Sequence, residues 1–290
     1  MTAVCGGVQT GRRQEPILAV PPKCPQRPTK CPQNTLAARN LLQPKTAIVR
    51  QLAPSVRTGE RQLRCANCNL RESCLAGGVP AEDLARVENI VAARRRIGRG
   101  ECLFRAGDDS RCLYAVRSGF FKTSLVASDG REQVTGFFMA GELLGMEGFG
   151  GGSYRDSAIA LEDSDICAMP YSLIEELGHE IPALQRRLHS LLAREITRGH
   201  GVMLLLGSMS AEARLATFLL DLSGRFLRRG YSGSSFVLRM KRSEIASYLG
   251  LKLETVSRLF SAFHKDGLLD VQHRQVSILD IEGLERLLAG

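Results

Sequence analysis

Three thiols fall within one short stretch, Cys65-Ala66-Asn67-Cys68-Asn69-Leu70-Arg71-Glu72-Ser73-Cys74, at C-x2-C-x5-C spacing. A thiolate is a soft, strong ligand, and a loop this short can wrap its sulfurs around one metal centre. Three sulfurs leave a four-coordinate site one short, so a further ligand has to come from elsewhere in the chain. A second constellation lies towards the other end, where residues 242–259 fit a helix-turn-helix position by position. Ile245 and Leu249 bury a first helix, Ala246 is small where two helices cross, and Gly250 supplies the turn. Leu251, Val256 and Leu259 bury a second helix.

That second helix carries Glu254, Ser257 and Arg258 at i, i+3, i+4, on the half that enters a major groove. Arg bonds guanine through O6 and N7, Glu accepts from cytosine N4, and Ser serves in either role. The plainer alternative is a solvated face with an intrahelical Glu254–Arg258 pair. Arg239, Lys241, Arg242, Lys252 and Lys265 surround the element as candidate phosphate contacts. Lys252 stands where a capping Ser or Thr is expected.

The elements that position these groups follow from pattern. After the cysteine stretch, Pro80 opens a short helix with Leu84, Val87, Ile90 and Val91 on one face. Residues 97–170 alternate glycines with short apolar runs such as Leu113-Tyr114-Ala115-Val116, and Asp129-Gly130 is a hairpin signal. This predicts a compact antiparallel barrel or roll, with Cys167 in its last strand. Residues 171–206 return to helical period. His189, Leu192, Ile196, Gly199, Met203 and Leu206 form a heptad seam along which two copies can pair, the alternative being a face packed on the chain's own barrel. Gly199 and Gly201 inside this helix each cost roughly 1 kcal/mol against Ala, which makes a marginal helix suited to a switch. Ser210 is an N-cap for the next helix, buried through Leu215, Phe218, Leu219 and Leu222. Residues 230–235 read as a Gly/Ser-rich turn, and residues 271–278 as a small hairpin, a wing beside the two helices.

Composition sets the frame. The chain has 290 residues, enough for about two domains. No apolar run is long enough to span a membrane and no export signal is visible, so a cytoplasmic protein with no membrane partner is expected. Nine cysteines, an odd number in a chain of this length, argue against a disulfide scaffold. Residues 1–64 hold eleven Lys and Arg against two Glu, which accounts for the whole net charge of +9. The bulk charge therefore says nothing about the folded body. Eight prolines break up residues 1–60, which read as a disordered basic tail in which Lys23-Cys24-Pro25-Gln26 recurs as Lys30-Cys31-Pro32-Gln33.

In their order, the barrel, the long helix and the C-terminal winged helix-turn-helix resemble the Crp–Fnr family of bacterial transcription regulators, over about residues 65–285. Leu253-Glu254-Thr255-Val256-Ser257-Arg258 resembles the Fnr branch's recognition helix with its E-x-x-S-R readout. Gly136-Phe137-Phe138-Met139-Ala140-Gly141-Glu142-Leu143 resembles that branch as well. The resemblance implies an α+β chain. Its parts are a disordered basic tail (1–60), a cysteine loop with an N-terminal antiparallel β-roll of the cyclic-nucleotide-binding kind (61–185), a dimerisation helix (186–209) and a winged helix-turn-helix (210–290). It further implies a 4Fe–4S cluster on Cys65, Cys68, Cys74 and a fourth cysteine, Cys167 in Cys167-Ala168-Met169-Pro170, with Cys112 as the rival. The intact cluster favours a homodimer that binds palindromic TTGAT-like sites in double-stranded DNA and, by resemblance, works with RNA polymerase as an activator in anaerobic gene control. Oxygen converts or destroys the cluster and DNA binding is lost. Arg258 would read the guanine of the half-site, beside Ser257 and Glu254. The chain departs from the pattern at Ser73, where a bulkier apolar residue would shield the cluster better. Cys102 and Cys112 are extra thiols, read as buried small hydrophobes.

Three other readings compete. A Crp-type cyclic-nucleotide pocket needs Gly-Glu-Leu and then an Arg-Ser/Thr-Ala clasp; Gly141-Glu142-Leu143 is present, but the later segment is Arg155-Asp156-Ser157-Ala158, with an interposed residue. A zinc-stabilised DNA-binding protein without sensing usually shows two CxxC pairs, and only Cys65–Cys68 is one. A thiol oxidoreductase needs a thioredoxin-like context that this neighbourhood lacks. The five histidines form no motif with carboxylates or thiols, so no enzyme activity is expected.

Overall fold

The computed structural model describes residues 64–127 and 130–288. The expected tail, its repeated Lys-Cys-Pro-Gln and Asp129 of the hairpin signal lie outside the described residues. Helix α1 (Leu84–Asn89) leads into strands β1 (Ala93–Ile97), β2 (Cys102–Phe104), β3 (Cys112–Ser118), β4 (Phe120–Val126), β5 (Glu132–Met139), β6 (Leu143–Leu144), β7 (Ser157–Ala160) and β8 (Ser164–Pro170). Then come α2 (Tyr171–Glu180), α3 (Pro182–Ser208), α4 (Ala211–Leu227), β9 (Ser235–Val237), α5 (Arg242–Leu249), α6 (Leu253–Lys265), β10 (Leu269–Gln272), β11 (Gln275–Ile278) and α7 (Ile281–Arg286).

The first eight strands make two antiparallel sheets, ordered β1-β8-β3-β6 and β2-β7-β4-β5. Between them lies a core that includes Ile97, Phe104, Tyr114, Phe121, Phe138 and Ile166. Side-chain alternation then decides what each outer face meets. In β3, Cys112, Tyr114 and Val116 point into the roll, while Leu113 and Ala115 point out beneath Leu75, Val79, Val87, Ile174 and Leu184. Burial on both faces is why the β3 sequence is an unbroken apolar run instead of an alternating one.

The other sheet turns its outer face to the C-terminal unit. Phe120, Val134, Phe137 and Met139 join a cluster with Phe218, Leu219, Leu222 and Leu249. β4 and β5 fall out of step once: Thr123 faces Gly136 and Ser124 faces Val134, so Thr135 is an extra residue. This bulge reverses the alternation of β5 and lets Val134 and Phe137 share one face.

Pro182 lies in the first turn of α3, where its missing N–H removes no hydrogen bond. Ser210 caps α4 by accepting from Ala213 N at 3.2 Å. The stretch read as a turn ends in a strand, because β9 pairs with β11 and adds a third strand to the wing. Three residues are too few to show an alternation, so only the tertiary pairing reveals it. No helix among the described residues is long and apolar enough to cross a membrane.

Candidate functional site

The cysteine stretch is a succession of tight turns. Cys65–Asn67 form a single 3-10 turn, Cys68 N donates to Cys65 O at 3.3 Å, and Cys74 N donates to Leu70 O at 3.0 Å. The segment docks on the outer face of the first sheet, where Cys65, Cys74 and Cys167 all pack against the cluster containing Leu113, Ala115 and Met169. Strand alternation separates the two candidates for a fourth ligand. In β8, Ile166 and Ala168 point into the roll, so Cys167 points out, towards the loop. Cys112 points inwards and is fully buried. Cys102 is also interior, and its thiol donates to Phe104 O at 3.1 Å.

The thiols of the loop and of β8 are electrostatic neighbours. Burial pushes Cys65 up to about 11, with the Cys167 thiolate the next contribution and Cys68 adding to it. Burial pushes Cys74 up to about 12, and Cys167 and Cys65 both add. Cys167 is also raised by burial, opposed by Arg94 and Arg117 and reinforced by Cys68. Arg94 faces Cys167 across the β1–β8 register and pairs with Glu88 at 3.7 Å. Among the described residues no three thiols, imidazoles or carboxylates stand close enough to grip one ion as they are. The donor set nevertheless fits an iron–sulfur centre. It is all sulfur, it borders an apolar cluster, and its thiolates repel one another until a cationic centre binds them. Arg187 of α3 adds a support that no local motif announces, donating from Nη2 to Glu72 O at 2.5 Å.

At the other end, α5 and α6 meet as the sequence pattern requires. Gly250 closes α5 at φ 63°, a left-handed conformation that suits glycine. Its close neighbour is Leu206, whose Cδ2 would stand 3.0 Å from an added Cβ. Ile245, Ala246, Leu249, Val256 and Leu259 are buried, as are Phe260 and Phe263, which the pattern did not single out. Glu254, Ser257 and Arg258 are all exposed. Among the described residues neither Glu254 nor Arg258 is ion-paired, so the intrahelical pair does not form, and Ser257 Oγ donates to Leu253 O at 3.0 Å. Lys241, Lys252 and Lys265 are exposed too. Two of the surrounding cations are otherwise engaged: Arg239 pairs with Glu162 at 3.2 Å, and Arg242 lies 3.2 Å over the Phe260 ring, where burial lowers its pKa to about 10.

Along α3, Ile196 and Met203 are exposed apolar side chains, and Gly199 has open space around it. Leu192 is half-buried. Leu206 differs from the rest of the expected seam, because it packs on the helix-turn-helix cluster. Arg214 binds this junction together, donating to Leu206 O at 3.0 Å, Met209 O at 3.0 Å and Leu249 O at 3.1 Å.

Comparison with known proteins agrees with this layout. Residues 94–180 match the cyclic nucleotide-binding domain, and residues 213–287 match the Crp-like helix-turn-helix domain. The transcriptional regulatory protein btr of Bordetella pertussis is 42% identical over 224 residues, 77% of this chain and 93% of its own. The fumarate and nitrate reduction regulatory protein of Escherichia coli K12 is 36% identical over 244 residues, 84% of this chain and 96% of its own. The chain belongs to the Crp–Fnr family. Among solved structures, FixK2 from Bradyrhizobium japonicum is similar at a TM-score of 0.64 and 31% identity, covering 68% of this chain and 98% of that one.

As a Crp–Fnr protein the chain is a DNA-binding transcription regulator, and α5 and α6 lie within its matched helix-turn-helix domain. Its β-roll departs from what a Crp–Fnr nucleotide pocket needs. The interior is filled by aromatic rings, with Tyr154 stacked on Phe104 at 4.0 Å and Phe104 on Tyr114 at 5.7 Å. Ser157 is turned to the backbone, accepting from Ala106 N at 3.0 Å. The Glu142 carboxylate is held by two arginines, Arg225 in the last turn of α4 and Arg229 just beyond it. The sequence shows Gly141-Glu142-Leu143 but gives no sign of these partners, which lie more than eighty residues away.

Proposed function

We propose that this Crp–Fnr protein is an oxygen- or redox-responsive regulator that receives its signal at Cys65, Cys68, Cys74 and Cys167 and answers by binding DNA. The observation that carries the reading is the gathering of thiols from a loop and from a distant strand, Cys65, Cys74 and Cys167, against one apolar cluster. These four side chains would hold a 4Fe–4S cluster, which when bound supplies an oxidant-labile centre joining the loop to β8. Arg94 and Arg117 offset negative charge there, and the apolar residues around Leu75 keep water from the inner side of the loop.

The output side uses α6. Arg258, with Ser257 and Glu254, reads base edges in the major groove, and Lys241, Lys252 and Lys265 hold phosphates. Two copies pair through the stripe of α3 formed by the half-buried Leu192 and the exposed Ile196, Gly199 and Met203, so the DNA site is palindromic, with TTGAT-like halves. Several relatives are named transcriptional activators, among them the anr protein of Pseudomonas aeruginosa, 42% identical over 219 residues. Activation through RNA polymerase in the cytoplasm, with no enzymatic step, is the corresponding role here.

The test is purification without oxygen, with iron and acid-labile sulfide assayed and the visible spectrum taken before and after air. Iron and sulfide near four each per chain, with an absorbance bleached by air and DNA affinity lost alongside it, is the expected result. Zinc in place of iron, or DNA binding indifferent to air, overturns the sensing function and leaves a regulator answering another signal.

A further inference from the structure

We infer that the turn at Gly141 and Glu142 is a relay joining the cysteine loop to the DNA-binding unit within one subunit. The inference rests on the reading above, that the loop receives the signal. Gly141 has φ 87° and touches the loop so closely that a Cβ on it would stand 2.8 Å from Ser73 Cβ and 3.7 Å from Leu70 Cδ2. Ser73 is the residue before Cys74. The next residue of the turn reaches the other way. Arg225 donates from Nε to Glu142 Oε1 at 3.0 Å and from Nη2 to Oε2 at 2.5 Å, and Arg229 donates from Nη2 to Oε1 at 2.7 Å. Arg225 lies in the last turn of α4 and Arg229 just beyond its end, and both also grip the backbone that leads into the turn, through Phe137 O at 2.7 Å and Ala140 O at 2.5 Å.

The turn between these contacts is stiff. Gly141 N donates to Val116 O at 2.8 Å, Val116 N to Glu142 O at 2.9 Å, and Glu142 N to Met139 O at 3.0 Å. The Glu142 carboxylate also accepts from Met139 N at 3.0 Å. A displacement of Ser73 therefore moves the turn as a body and changes the geometry at Glu142, where charge-assisted hydrogen bonds are sensitive to direction. The other joins between the units, Val134 and Phe137 against Phe218 and Tyr248, Val134 N donating to Ser247 Oγ at 2.9 Å, Lys122 paired with Glu244 at 3.1 Å and Arg239 with Glu162 at 3.2 Å, involve no residue of the loop. They are anchors, and beside α3, which Arg187 ties to the loop and which runs on into α4, the Gly141–Glu142 turn is a path along which the loop reaches Arg225 and Arg229. The carboxylate that a nucleotide would require in a Crp-type pocket is used here as a domain latch.

Amide hydrogen exchange of residues 221–229, measured on the full chain purified without oxygen, tests this as a cycle. Cys74→Ser is expected to speed exchange there about tenfold, within the usual range of coupling between sites. Made in an Arg229→Gln background, the same change is expected to speed it less than about threefold. Arg229→Gln leaves Glu142 neutralised by Arg225, so the fold survives, and its iron content should equal that of the parent; Arg229→Lys should restore part of the coupling. An equal effect of Cys74→Ser in both backgrounds overturns the relay, as does no effect in either. An iron-free parent protein would instead sink the sensing reading, while the cycle would still report whether loop and helix are coupled.

Discussion

Arg187 on α3 donates from Nε to the carbonyl oxygen of Cys74 at 3.0 Å, so the long helix holds the backbone of the loop at its third thiol. A hydrogen bond from a charged donor is worth about 1.5–3 kcal/mol. Arg187→Ala should therefore leave the β-roll folded but loosen the loop. We expect iron to be lost several times faster on exposure to air, followed by the decay of visible absorbance, with DNA affinity before exposure close to that of the parent.

The orientation of β8 makes a sharp distinction between two cysteines. Cys167→Ser should abolish stable retention of iron and sulfide. Cys112→Ser, on the inner face, should keep both and change only stability, by about 1–3 kcal/mol for the buried hydroxyl. Iron and sulfide analysis of the two variants decides, and a full complement in Cys167→Ser would move the fourth ligand elsewhere.

Arg258 is exposed and unpaired among the described residues, as a base-reading side chain must be. Arg258→Ala should reduce discrimination between matched and mismatched half-sites by about 1–3 kcal/mol while leaving iron content unchanged. Lys252→Ala should weaken binding to every sequence alike and lower the salt slope by about one unit. Anisotropy titrations at several salt concentrations separate the two effects.

Acid should open the latch between sensor and DNA-binding unit. Burial by itself would raise the Glu142 pKa, but Arg225 and Arg229 outweigh it and hold the carboxyl below its ordinary value. A depressed folded-state pKa means stability that is present above the unfolded value, about 4.3, and lost as pH falls through the folded value. Near-UV circular dichroism of Tyr248, which packs against Phe137 and Phe218 across the same join, should report the loss in that acid range. In Glu142→Gln this acid step should be absent.

Much of this protein is local in origin and was legible as such. The C-x2-C-x5-C spacing, the Gly250 turn with Ala246 before it, the Ser210 cap and the exposed triad Glu254, Ser257 and Arg258 each depend on residues within a few positions of one another, where backbone geometry acts directly. Other features depend on which face of a strand a side chain takes and on what packs over that face. Cys167 and Cys112 look alike in sequence, and only the pairing of β8 with β1 and β3 turns one to the loop and the other to the interior. The bulge at Thr135, the strand β9, the grip of Arg187 on the loop and the capture of Glu142 by Arg225 and Arg229 all join segments distant along the chain. By itself the sequence determined the kind of chemistry and its local spacing. The tertiary structure decided which distant partners meet, because strand register and the docking of one face on another are properties of the whole packed chain.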